Sequence, residues 1–255
     1  MSVQGIRTEP LSDALGVRLD GVVFERMAND HGFVRLMKQL LDEHLAVYIP
    51  GQKIEPATAE RFVANFGPLL DIKRAGNVAH HVDGAPWIKV ISNGKAPDGI
   101  PYGDGNASAQ IWHSDSTPWE APVGHIAFYC RQTVEPAPKT SFKNMIKVYA
   151  ALPDVLRERI GPLRVIHHFY PRQIEVAIHA NGPSMPIEQR RSGFVHPLVR
   201  RHVGNNQPYC TCRRGATVSC KAGPRARVVS CSRNFGTSPT SAISISLLPC
   251  GQMIS

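Results

Sequence analysis

Acidic residues are missing from the C-terminal stretch of this 255-residue chain: no Asp or Glu follows Glu188. Ten of the 29 Lys and Arg lie beyond it, which leaves 19 basic against 20 acidic residues in 1–188, a net charge of −1. The formal net charge of +9 therefore belongs to the end of the chain. It does not mark the whole protein as a nucleic-acid binder. Cysteine is equally scarce in the body, where Cys130 is the only one before residue 200. With no sign of export, that argues against a disulfide framework. No apolar run approaches the ~20 residues that span a bilayer. Met1-Ser2-Val3-Gln4 lacks a basic-then-apolar signal pattern. The expectation is a soluble, cytoplasmic protein with no membrane partner. Internal repeats and heptad runs are lacking too.

What is present is ordinary globular sequence, 42% hydrophobic and 19% charged, long enough for one large domain or two small ones. Leu11 to Val23 alternates loosely around Gly16 and Gly21, which predicts short strands and turns. Asp30 is placed to cap a helix whose apolar face is Phe33, Leu36, Met37, Leu40 and Leu41. Leu45 to Ile49, closed by Pro50-Gly51, predicts a buried strand. Glu55-Pro56 opens a second helix with inner residues Ala59, Phe62, Val63 and Phe66, stopped at Gly67. Trp87 to Ser92 and Gly124 to Tyr129 read as strands, and Val148 to Ile160 as helix. Residues 93–109 read as a surface loop, and residues 171–195 have no clear period.

The sharpest local feature is Ile111-Trp112-His113-Ser114-Asp115-Ser116-Thr117. Side chains two apart on an extended strand point the same way, so an imidazole nitrogen and a carboxylate oxygen converge. With a second, distant His, this is the two-His-one-carboxylate facial triad of non-haem Fe(II) oxygenases, with open positions for co-substrate and O2. By itself the spacing also fits a loop His bonded to a nearby Asp.

Several segments in order resemble the taurine/2,4-dichlorophenoxyacetate dioxygenase family, whose members depend on Fe(II) and 2-oxoglutarate. The likeness runs from about residue 5 to about 208. It is carried by Leu45 to Pro50 with the helix ending Phe62-Val63-Ala64-Asn65-Phe66-Gly67, and by Trp112-His113-Ser114-Asp115, which matches the family's W-H-[ST]-D motif. It continues in Thr140-Ser141-Phe142 with Ala150-Ala151-Leu152-Pro153, and in His196-Pro197-Leu198-Val199-Arg200. The resemblance implies an α+β fold with a mainly β core, a double-stranded β-helix (jelly roll) with flanking helices. It implies Fe(II) held by His113 and Asp115, and 2-oxoglutarate contacted by Thr140. It also implies O2-dependent hydroxylation of a small organic substrate, such as a sulfonate or aryloxyacid, with release of succinate and CO2. No further catalytic side chain is assigned. Family members are often oligomers, so a homo-oligomer is open.

The chain also departs from the pattern. Ala137-Pro138-Lys139 stands where the family has Gly-Gly-Asp before its Thr. The family's second His ligand, and an Arg that grips 2-oxoglutarate, lie well downstream, yet no His follows His202 here. His80, His81, His125, His167, His168, His196 and His202 read as packed or surface histidines. Trp119, His80 and His81 are candidate pocket residues.

The composition changes near residue 205, which divides the chain into a truncated jelly-roll domain, 1–208, and an aberrant basic tail, 209–255. That tail has eight Ser, five Cys, no acid, and one apolar patch, Ala242 to Leu248. It lacks the burial needed to offset ordering entropy, which predicts disorder. A shifted reading frame near Pro208 explains the tail and the missing ligand together. Tyr209-Cys210-Thr211-Cys212 is TAY TGY ACN TGY, which read from its third base gives Leu-[Tyr/His]-[Val/Leu/Met], a family-like strand. Gly251 to Ser255, treated the same way with a TCN serine, gives [Ser/Pro/Thr/Ala]-[Asn/Asp]-Asp-[Ile/Leu/Phe], like the segment before the family's second His. The copy is then expected to be unstable and impaired. The alternative is a non-catalytic globular protein with a nucleic-acid- or metal-binding tail. Against it, Cys210-x-Cys212 has no second paired knuckle, and only Tyr209 and Phe235 are available to stack bases.

Overall fold

The computed structural model describes residues 5–70, 81–82, 84–92, 94–95, 97–100, 102–103, 112–133, 135, 137, 139–167, 194–211, 217–219 and 253–254. Most of the 93–109 loop, residues 171–193, His80, His168, Cys212, Cys220, Cys231, Cys250 and the patch from Ala242 to Leu248 lie outside the described residues.

The chain begins with an antiparallel pair, β1 (Arg7–Pro10) and β2 (Val17–Asp20), and β3 (Val47–Tyr48) adds to β2 in parallel. At Gly21 φ is +81°, and an added Cβ would lie 2.5 Å from the Gly5 carbonyl oxygen, so only glycine serves there. Between β2 and β3 come the single turn α1 (Phe24–Met27) and the long helix α2 (His31–His44). Asp30 caps α2 as its sequence predicts: Oδ1 accepts the N–H groups of Gly32 at 2.7 Å and Phe33 at 3.0 Å. Those bonds, led by Phe33, hold the Asp30 carboxyl below its usual pKa.

The strand expected over Leu45 to Ile49 is only two residues long. Leu45 is spent as the left-handed C-cap of α2, at φ 66°. The second helix, α3 (Pro56–Val63), has Pro in its first turn and runs into the 3-10 turn Ala64–Phe66, ending at Gly67. A remote carboxylate supplies its N-terminal acceptors: Glu25 takes the Glu55 N–H at 2.6 Å and the Thr58 hydroxyl at 2.9 Å. α2 and α3 bury Phe33, Met37, Leu41 and Phe62 against Val17, Leu19, Phe24 and Val47. The Phe24 and Phe62 rings meet edge-on at 4.8 Å. This is the main described core, and helices supply much of it.

Beyond it the sheets are small. β4 (His81–Val82) pairs with β5 (Ala85–Lys89), so the strand predicted for Trp87 to Ser92 starts and stops earlier. Gly124 to Tyr129 was expected to be a strand and forms none. An extended run becomes a strand only when another backbone completes its ladder, and no described residue does so there. The helix expected over Val148 to Ile160 is two helices, α4 (Met145–Ala150) and α5 (Asp154–Ile160). Pro153 has no N–H to continue the first, and it disfavours helical geometry at Leu152.

β6 (Phe142–Lys143) precedes α4, and β7 (Arg164–Ile166) follows α5. β7 pairs antiparallel with β8 (Val195–Pro197), Val165 opposite His196, while β9 (Val199–Arg201) and β10 (Pro208–Cys210) form a hairpin. The boundary expected at Pro208 would thus fall inside β10, where Tyr209 and Cys210 are buried with Met145 of α4. β11 (Thr217–Ser219) pairs with β7, and β12 (Met253–Ile254) pairs with β6. Among the described residues these make five separate small sheets and no closed barrel. No described helix is long and apolar enough to cross a membrane.

Candidate metal centre

The structure brings together the two residues that the motif singles out. His113 Nε2 and Asp115 Oδ1 are 3.3 Å apart. Two bonds of about 2.1 Å, the usual first-row range for nitrogen and oxygen donors, would span that gap at an angle of roughly 100°. The pair therefore fits two adjacent positions on one metal ion. The His113 side chain is 15% exposed and that of Asp115 49%. One donor is thus fixed by packing, and the other faces solvent on an open side.

The backbone after His113 sets this geometry. Residues 115–118 form a turn in which the Ser116 carbonyl accepts the Trp119 N–H at 2.9 Å. Ser116 stands at φ 50°, unusual for a residue with a Cβ. Its hydroxyl holds the turn by accepting the Val123 N–H at 2.9 Å. Thr117 and Pro118 are buried beneath it.

Thr140 is half-buried, two residues before β6, and no described hydrogen bond joins it to His113 or Asp115. No group of three or more His, Cys, Asp or Glu suited to a metal occurs among the described residues. The described residues therefore bring together two candidate donors, where a facial triad has three. The other histidines lie elsewhere. His196 is buried and donates Nε2–H to the Trp119 carbonyl at 2.7 Å, since a carbonyl can only accept. His167 is 1% exposed. His125 stacks on Phe66 at 5.4 Å, and burial pushes its pKa down. His202 is buried in the β9–β10 hairpin, where Nδ1 accepts the Asn205 N–H at 3.2 Å; burial lowers its pKa as well.

Trp119 meets this region through its backbone carbonyl. Sequence reasoning missed Lys143, whose Nζ lies 4.4 Å from the centroid of the Trp112 ring. No local pattern links Trp112 to a residue so far along the chain, so that contact left no sequence signal. A groove of about 490 Å³ between α4, α5 and β10, lined by Tyr149, Arg157 and Gln207 among others, includes neither donor.

A His and a carboxylate two residues apart, 3.3 Å between Nε2 and Oδ1, are candidate donors of the kind that a metal-dependent class of protein carries. Within that class, the chain belongs to the taurine catabolism dioxygenase TauD, TfdA family, which it matches over residues 7–238. It is 26% identical over 185 residues to the alpha-ketoglutarate-dependent 2,4-dichlorophenoxyacetate dioxygenase of Cupriavidus pinatubonensis, covering 69% of this chain and 62% of that one. It is 29% identical over 205 residues to pentalenolactone F synthase of Streptomyces avermitilis, covering 74% and 64%. The chain thus spans somewhat under two-thirds of the length of these relatives. Its fold is similar to that of a taurine dioxygenase from Burkholderia xenovorans, with TM-score 0.65 and 20% identity over 98% of this chain and 83% of that one. It is also similar to AAD-2, solved with Mn(II) and N-oxalylglycine, with TM-score 0.65 and 17% identity over 100% and 90%.

Proposed function

We propose that the chain is an Fe(II)- and 2-oxoglutarate-dependent dioxygenase built on a jelly roll, acting on a small organic substrate such as a sulfonate or aryloxyacid. The 3.3 Å approach of His113 Nε2 to Asp115 Oδ1 carries this reading, together with the family match. His113 and Asp115 would hold the iron, and Thr140 would contact 2-oxoglutarate. When bound, Fe(II) with 2-oxoglutarate supplies O2 activation coupled to decarboxylation to succinate and CO2, and with it C–H hydroxylation. The chain's own task is to fix two donors on one side of the metal and leave the opposite side open. A cytoplasmic location and assembly into a homo-oligomer belong to the same proposal.

We also propose that this copy is impaired. Among the 255 residues no His follows His202, so the second His ligand of the family pattern is not among them, and a shifted frame after Pro208 would account for that. Two protein donors bind Fe(II) far more weakly than three. The test is to express the chain as it stands beside a version with the frame restored after Pro208. The restored chain is expected to release succinate from 2-oxoglutarate in an Fe(II)-dependent way, and the Asp115→Ala variant of it is not. Silence of the restored chain would overturn the activity. Tight 1:1 iron binding or succinate release by the chain as it stands would overturn the impairment.

A further inference from the structure

The donor pair sits in a segment, Trp112 to Trp119, that is fastened from outside at both ends. At one end the Lys143 ammonium of β6 lies over the Trp112 ring, 4.4 Å from its centroid. Both side chains are half-buried, and no described carboxylate lies within ion-pair distance of Lys143. A half-buried cation over an aromatic ring, with no described carboxylate beside it, makes an attractive cation–π contact. At the other end two bonds reach the segment from β8 and the residue before it. His196 Nε2–H donates to the Trp119 carbonyl at 2.7 Å, and the Phe194 N–H donates to the Pro118 carbonyl at 2.8 Å. His196 is 8% exposed and lies opposite Val165 in the ladder, so its ring is fixed by the sheet behind it.

β6 and β8 belong to different sheets, so the two fastenings are independent. They also leave the donor side clear. Lys143 touches Trp112, and His196 and Phe194 touch the backbone at Trp119 and Pro118, so none of these contacts falls on His113 Nε2 or Asp115 Oδ1. Between the fastenings, the turn holds Ser116 at φ 50°, a conformation that persists only where surroundings over-determine it. Asp115 is half exposed. The position of its carboxylate therefore follows the backbone of the turn, which these two grips hold from outside together with the Val123 N–H bond to the Ser116 hydroxyl.

We propose that Lys143 and His196 are the positioning residues of the His113–Asp115 pair, holding the segment between them from β6 and β8 so that both donors meet one metal ion. The proposal rests on the metal reading given above. It concerns orientation, since neither residue is placed as a ligand.

The test uses the full chain and two readouts: hydrogen exchange of peptides covering 112–123, and Mn(II) affinity by electron paramagnetic resonance. His196→Leu is expected to speed exchange around 116–119 by roughly five- to tenfold, the shift that loss of one hydrogen bond carries. Exchange in the α2 peptides should not change. Mn(II) affinity should weaken by about tenfold, the low end for groups that orient ligands. His196→Gln keeps an N–H donor and should restore both readouts. Lys143→Met should act in the same direction, and Lys143→Arg, which keeps a cation over the ring, should not. Unchanged exchange in His196→Leu, or exchange rising equally in α2, would overturn the proposal. So would a His196→Gln variant that behaves like His196→Leu. If the unsubstituted chain shows no saturable Mn(II) binding, Mn(II) affinity is read on the chain with the frame restored after Pro208, where its absence would sink the metal reading, and the exchange comparison decides whether the two residues set the segment.

Discussion

Replacing Phe62 with Ala should come close to unfolding the protein. Phe62 is 0% exposed, with ring centroids 4.8 Å from Phe24, 5.8 Å from Phe33 and 5.2 Å from Phe66. A buried Phe removes about 200 Å² from water, which at about 25 cal/mol per Å² amounts to ~5 kcal/mol. Alanine keeps some of that, but three rings braced by two helices cannot close the hole, so the expected loss is about 3–5 kcal/mol. A domain of this kind has only about 5–15 kcal/mol in total. Urea unfolding followed by helical circular dichroism should show the midpoint falling by about 2 M at a slope near 2 kcal/mol per M. Phe62→Leu should cost about 1.5 kcal/mol. Val203→Ala, at a site 93% exposed, is the control and should stay within about 0.5 kcal/mol. The damage should also reach tryptophan fluorescence, because Glu60 on the same helix accepts the Trp87 N–H at 2.7 Å and Phe66 carries the His125 ring. A shift worth less than about 1 kcal/mol at unchanged slope would refute the packing argument. A fluorescence curve that stays put while the helical signal moves would show two independently folding parts.

Asp30→Ala should cost about 1 kcal/mol through loss of the two cap bonds to α2, with Asp30→Asn close to the parent; equal losses in both would sink the cap assignment. Acidification should destabilise the fold between pH 7.5 and 5.5. Burial depresses the pKa of His202 and of His125, with Asp42 opposing in both and Lys38 adding to the depression at His125. An unfolded His takes its proton near pH 6.5, before either folded one does, so the unfolded state binds more protons and stability is lost as pH falls through that window. The slope cannot exceed about 1.4 kcal/mol per pH unit for each His. It should flatten in His202→Gln, and a urea midpoint that is level or rises on acidification would contradict the sign. Asp115→Ala should weaken Mn(II) binding by about tenfold or more. Unchanged affinity would place the metal elsewhere.

Helix α2 was legible because two local signals agree, an apolar face at helical spacing and an Asp at the cap. α3 was legible for the same reason, with Pro56 marking its first turn. The break between α4 and α5 was equally local, since Leu152-Pro153 announces it; the apolar period across Val148 to Ile160 masked a single residue that overrides it. Gly124 to Tyr129 shows the opposite limit. Its pattern suits a strand, but pairing depends on a partner that no local pattern specifies. The site divides in the same way. His113 and Asp115 are two residues apart, so their nearness was legible locally, but Asp115 stands in a turn and not on the strand end that the spacing suggested. The grips on that segment come from Lys143 and from His196, which is 77 residues away from Trp119, and no periodicity connects such positions.

On the proposed shifted frame, the acid-free tail and the lack of a third donor after His202 have one cause. A β ladder is made by backbone groups, so the pairing of Pro208–Cys210 with Val199–Arg201 is available to any sequence with strand-like alternation. The displaced frame, Leu-[Tyr/His]-[Val/Leu/Met], also alternates acceptably and would bury an apolar residue where Tyr209 and Cys210 now pack against α4. The hairpin is therefore compatible with both frames, and the coding DNA discriminates between them. If the frame shifts, codons read from the third base of Tyr209 should stay open, reproduce [Ser/Pro/Thr/Ala]-[Asn/Asp]-Asp-[Ile/Leu/Phe] opposite Gly251 to Ser255, and bring a His codon shortly after. A stop codon in that frame before Gly251, or no His beyond it, would refute the shift. The six basic residues after Pro208 would then need a partner of their own to explain them.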